Sequence, residues 1–154
     1  MSVATHRARI KVVLDSVTDK GKTHDYKRWA STWGDFLDLF KTTIDSTVQI
    51  RGWEITFQGF TQTETSIGRT GNNIVRVYTW RLDGYLGLDD SATTDKTLAD
   101  LAEDVVEALD GDAVLNERSI TLYREPANLA MDMRIFGSVL CNHAEITLVT
   151  AELM

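Results

Sequence analysis

At 154 residues, with a net charge of −7, one cysteine and one proline, the chain is the size of a single domain that buries about 70% of the surface its unfolded form exposes. The acidic balance argues against a general nucleic-acid binder, whose affinity comes from neutralising phosphates, and the lone Cys141 rules out an intramolecular disulfide. With no apolar run of membrane-spanning length, and a start MSVATHRARIK that lacks a secretory apolar core, the expected setting is reducing and cytoplasm-like.

Charge is divided unevenly. Residues 1–30 carry seven Lys or Arg against three Asp, a net +4, whereas residues 83–118 carry eleven acids against Lys96 and Arg118, a net −9. Such a division describes either two separately solvated faces or a polar subunit whose basic side meets the acidic side of a neighbour. Neither an internal repeat nor a linker-like stretch divides the chain, so residues 1–154 are expected to form one domain.

In VATHRARIKVVLDSV, Ile10, Val13, Leu14 and Val17 recur at helical spacing before TDKGKTH ends the pattern. HDYKRWASTWGDFLDLFKTT then carries Tyr26, Trp29, Trp33, Phe36, Leu37 and Phe40 as an aromatic stripe, which predicts a second helix, bent at Gly34, with its aromatic residues in the core. The other use of such a stripe is as an anchor for a partner.

From Val48 the period becomes two. Val48 and Ile50, then Trp53, Ile55 and Phe57, predict a strand with a bulge near Gly52. The polar stretch TQTETSIGRTGNN leads into IVRVYTWRLDGYLGL, so the two strands form a long hairpin with an extended polar tip. GRTGNN lacks the Lys-Ser/Thr ending and the strand-to-helix setting of a phosphate loop, and an arm that seeks an interface fits it better.

Residues 95–109 give the strongest helical pattern, with Leu98, Leu101, Ala102, Val105, Val106 and Leu109 on one face. Asp100, Glu103, Asp104 and Glu107 lie opposite, and with no histidine among them they read as a solvated acidic face and not a metal site. TLAD at 97–100 has the form of a capping box. Strands follow at 119–125, 131–140 and 143–150, the last two as an antiparallel hairpin turning at LCN, with Gly137 as a bend or bulge. The predicted class is α+β: a single, mainly antiparallel or mixed sheet of about five strands with two to three helices packed on it.

No reaction is legible. Cys141 and His143 share a strand face and make a Cys–His dyad sterically conceivable, but no orienting Asn or Asp is identifiable; His24 beside Asp25 has the wrong spacing to share a site. HExxH, GxSxG, paired cysteines and a GxGxxG after a strand are all missing. The reading is of a protein that is not an enzyme and has no catalytic, cofactor-binding or metal-binding residues.

The succession of a short helix, HDYKRW, IRGWEIT, a long polar hairpin, VYTWRLDGYLGL, LADLAEDVVEAL and CNHAEITLVT resembles the tail terminator group, small tail-completion proteins of long-tailed bacteriophages. GWEI and CNHAEITL carry the likeness best, while the HDYKRWASTWGDFLDLF insertion is longer than in the simplest members. The resemblance implies a structural virion protein of the neck, assembled in the host cytoplasm as a ring of six subunits that caps the tail tube and joins the tail to the head connector. The expected partners are further copies of itself, the tail-tube protein and the connector, with DNA passing through the ring without specific binding and no membrane involved. Glu64, Ile67, Arg69, Asn72 and Asn73 on the arm are the expected subunit or tube contacts. The alternatives are another head–tail connector or an assembly adaptor without enzymatic activity, and, beyond these, a small enzyme using Cys141 and His143.

Overall fold

The computed structural model of the chain describes residues 2–65, 73–89, 92–112 and 127–153. In chain order the elements are α1 (Val3–Ser16), β1 (Lys22–His24), α2 (Trp33–Asp38), β2 (Lys41–Ile44), β3 (Thr47–Thr65), β4 (Asn73–Gly87), α3 (Thr94–Gly111), β5 (Asn128–Phe136) and β6 (Val139–Leu153). The strands form one mixed sheet in the order β1-β3-β4-β6-β5, with β2 pairing the start of β3. Among the described strands only β1 runs parallel to its neighbour. The class is α+β, as predicted, with three helices and, instead of about five strands, six among the described residues.

Alternation along the strands separates two cores. On one face Trp53, Ile55, Trp80, Leu82, Ala144, Ile146 and Leu148 meet Ile10, Val13 and Leu14 of α1 and Leu98, Leu101, Val105 and Leu109 of α3. Ser2 caps α1 by accepting from the Thr5 N–H at 3.3 Å, and α1 and α3 are joined by Arg9, whose Nε donates to Asp112 Oδ1 at 3.1 Å while its Nη2 donates to Oδ2. On the other face a smaller cluster of Phe36, Leu37, Phe40, Tyr85, Phe136 and Cys141 is closed by α2. Even-numbered residues of β4 and β6 thus face the larger core, while the odd-numbered Tyr85 and Cys141 face the smaller one.

Several expectations are corrected. The second helix is reduced to the six residues of α2; β1 and β2, two strands that the periodicity did not predict, flank it. Thr32 Oγ1 accepts from the Asp35 N–H at 3.1 Å, starting the helix at Trp33 and not at the stripe's first member, Tyr26. Tyr26, Trp29 and Trp33 are 51%, 78% and 56% exposed, so the first half of the stripe is surface and only Phe36, Leu37 and Phe40 are core. The bulge lies between Phe57 and Gly59, not at Gly52, which keeps regular register with Tyr85. Gly52 is needed for close approach instead: a Cβ there would stand 2.5 Å from the Lys22 carbonyl oxygen, blocking β1. Thr93, not the TLAD segment, is the N-cap of α3, and it makes no side-chain capping bond. The final hairpin turns at Gly137, with φ of 65°, ahead of the expected LCN, because the Arg134↔Cys141 and Met133↔Asn142 pairs hold those residues in the ladder. The strand expected at 119–125 lies outside the described residues. Among the described residues no helix is long and apolar enough to cross a membrane.

Candidate functional site

The arm expected to carry contacts is the distal part of the β3–β4 hairpin. Thr61, Gln62, Thr63 and Glu64 are exposed on β3, and Arg76 of β4 stacks on the half-exposed Phe60 ring at 4.8 Å. Asn73 stands in the ladder opposite Thr65; Ile67, Arg69 and Asn72 lie outside the described residues. β1 and β2 pair β3 only as far as Glu54, so from Ile55 onward its outer edge has no strand partner among the described residues. Such an edge offers main-chain donors and acceptors to another chain.

Cys141 and His143 share a sheet face, as expected, yet they do not form a dyad. Cys141 is sealed into the aromatic cluster, where burial pushes its thiol up to about 11. His143 has other partners: its Nε2 lies 2.9 Å from Asp83 Oδ1 and its Nδ1 2.6 Å from Asp132 Oδ1. Both bonds are donated together only by the doubly protonated ring. His24, the other histidine considered, donates from Nε2 to the Leu39 carbonyl at 2.9 Å and packs edge-on against Phe40, a structural role.

Around His143 the sheet carries a charged network that the sequence reading passed over. Arg81 Nε donates to Asp83 Oδ2 at 2.9 Å, and Arg134 lies within 3.9 Å of Asp83, 3.6 Å of Asp132 and 3.7 Å of Glu145. Next to it, Glu54 accepts from the Arg28 N–H at 2.8 Å and from the Tyr85 hydroxyl at 3.2 Å. The signal was present as charge at two-residue spacing, Arg81 with Asp83 and His143 with Glu145, inside segments otherwise apolar. It was hidden because exposed strand faces look the same.

Asp83, His143 and Glu145 each offer a ligand atom within 4.8 Å of the others, a spacing suited to a cation. Two guanidinium groups already occupy that cluster, and Asp83 has both oxygens engaged, so the residues satisfy one another and fit a metal poorly. Glu54, Asp83 and His143 are no more than 1% exposed, which leaves a substrate no approach to them. The network is a tie between strands β3, β4, β5 and β6.

Two surfaces of contrasting chemistry remain. On the network face, the connection between β1 and α2 displays Trp29 with Lys27 Nζ 4.7 Å from its ring, and Tyr26 with the Arg28 guanidinium 5.0 Å from its ring. At the other edge of the sheet a groove of about 550 Å³ is lined by Leu88, Asp95, Met131, Asp132, Met133 and Asn142. Met133 and Ile135 beside it are 64% and 69% exposed on edge strand β5. Asp100, Glu103, Asp104 and Glu107 line the outside of α3 without an ion pair among the described residues, whereas the basic N-terminal segment is partly neutralised at home by the Arg9–Asp112 and Lys11–Asp15–Lys20 contacts. The sequence matches no protein-family model, and no curated protein matches it significantly.

Proposed function

We propose that the protein is a structural component of a bacteriophage neck, a tail terminator that assembles as a ring on the end of the tail tube and joins it to the head connector. The observation that carries this reading is the pairing of a rigid, two-core sheet with contact surfaces on different faces of one subunit: the exposed aromatic loop, the apolar groove at β5 and the hairpin running beyond its covered base. Head-to-tail rings use different faces of each copy, and they need a stiff scaffold more than a catalytic pocket. The acidic outer face of α3 suits a channel through which DNA slides, since it offers no phosphate contacts. Assembly takes place in the host cytoplasm, and the finished ring resides in the virion.

The loop at residues 25–32 favours one further reading, a connector or assembly adaptor that is likewise not an enzyme, because exposed tryptophan is a common anchor for a different partner. One experiment separates them. The purified protein is mixed with polymerising tail-tube protein and followed by light scattering and negative-stain electron microscopy. Annular particles of about six subunits that cap tubes and limit their growth are expected. A protein that stays monomeric at micromolar concentration and leaves tubes uncapped would overturn the terminator reading.

A further inference from the structure

We infer that the ring is closed by insertion of the Trp29 loop of one subunit into the β5-edge groove of the next, an assignment that rests on the ring reading above. Trp29 is 78% exposed on a loop that is itself held in place, because the Arg28 N–H is anchored on buried Glu54 at 2.8 Å and Thr32 caps α2 immediately after it. A large aromatic ring on a fixed backbone loses little freedom on binding, which suits it to be a contact anchor.

The groove has the complementary features. Leu88, Met131 and Met133 give it an apolar floor, and methionine adapts its shape to an aromatic ring. At about 550 Å³ it is within the range of pockets that enclose aromatic groups. Its charge on that side of the sheet is the acidic Asp95, since Asp132 turns its carboxylate to His143 and Arg134 on the other face, whereas the charges flanking Trp29, Lys27 and Arg28, are basic. Asp95 is exposed at the first turn of α3. Opposite signs around an apolar contact favour this pairing over loop with loop or groove with groove, both of which place like charges together.

Position then determines the symmetry. Met131 and Met133 stand opposite Ala144 and Asn142 and project to the helix-covered side, while the loop crosses the other side at Glu54. One subunit therefore offers its loop in one direction and its groove in another. Repetition of that contact is heterologous, giving a closed ring or a filament.

The test uses the full chain. Trp29→Ala should weaken self-association by about 30-fold or more, as for an interface hot spot, with an unchanged melting temperature. Lys27→Glu and Asp95→Lys should each assemble poorly alone, since each sets like charges against one another. Mixed in equal amounts they should form oligomers again, because an alternating ring restores an opposite-charge pair at every junction. Oligomers of wild-type size from Trp29→Ala, or failure of the mixture to recover, would overturn this contact and leave the ring reading standing. If the wild type is monomeric at micromolar concentration and leaves tail tubes uncapped, both fall together.

Discussion

Glu54 and Asp83 stand directly opposite each other on β3 and β4, both sealed from solvent, and their carboxyl groups are displaced in opposite directions. Burial raises Glu54, and the bonds from the Arg28 N–H and the Tyr85 hydroxyl do not offset it. Burial also acts upward on Asp83, but there the hydrogen bond from His143 and the charge of Arg81 outweigh it and hold the carboxyl below its usual range. Two like charges placed across a strand pair are thus kept compatible by different surroundings.

The raised group makes the first prediction. Glu54 favours folding fully below its unfolded value near pH ~4, and that contribution is lost as pH rises through its folded value. Glu54→Gln keeps an oxygen for the Arg28 N–H and can donate to the Tyr85 hydroxyl oxygen. It should therefore raise the melting temperature at pH 7, with a gain that shrinks toward zero near pH ~4. Thermal melts across that range are the check, and a variant less stable than wild type at neutral pH contradicts the assignment.

Asp83 should behave in the reverse sense. Its lowered value contributes stability above its unfolded value near pH ~4, lost as pH falls through the folded one. Asp83→Asn should cost roughly 3–5 kcal/mol at pH 7, as when one member of a buried ion pair is removed, and the difference from wild type should close in acid. Urea denaturation at pH 7 and pH 3 measures it. A cost that does not change with pH would mean that Asp83 contributes by packing and not by charge.

The long, strongly patterned elements were legible because their burial is one-sided. α1 and α3 each bury a single stripe, and Ala144, Ile146 and Leu148 bury one face of β6. The stretch from Tyr26 to Phe40 was misread since helical spacing of aromatic residues does not say whether one helix or a capped turn carries them; Thr32 decided it by a bond between neighbours. The arm was legible as polar and exposed on Glu64, but the charged network was not. Its partners come from four strands, and only the register Glu54↔Asp83↔Glu145 brings them together.

Gly84 offers a test of that register. It faces Trp53 across the β3–β4 pair, and a Cβ would stand 2.7 Å from the indole ring, which is wholly buried and has nowhere to move. Gly84→Ala should destabilise the protein by about 1–3 kcal/mol through overpacking, and Trp53→Leu in the same chain should recover part of that loss. Chemical denaturation of the four proteins gives the coupling. Strictly additive costs would show that the two residues do not meet.

Cys141 bears on whether any nucleophile is available. With its thiol pushed up to about 11 by burial among Phe36, Phe40, Tyr85 and Phe136, native protein at pH 8 should react with iodoacetamide on the order of 100-fold more slowly than unfolded protein, as the fall in thiolate requires. Cys141→Ser should then cost roughly 1–3 kcal/mol, because the hydroxyl enters an aromatic cluster without a built-in partner, while Cys141→Ala should cost less. Mass spectrometry of the alkylated protein, with and without urea, distinguishes the cases. Rapid labelling of the folded chain would place the sulfur within reach of solvent and reopen a nucleophilic role for it. Even then His143 would have to give up Asp83 or Asp132 to serve as its base, since both ring nitrogens are held by those carboxylates at 2.9 and 2.6 Å.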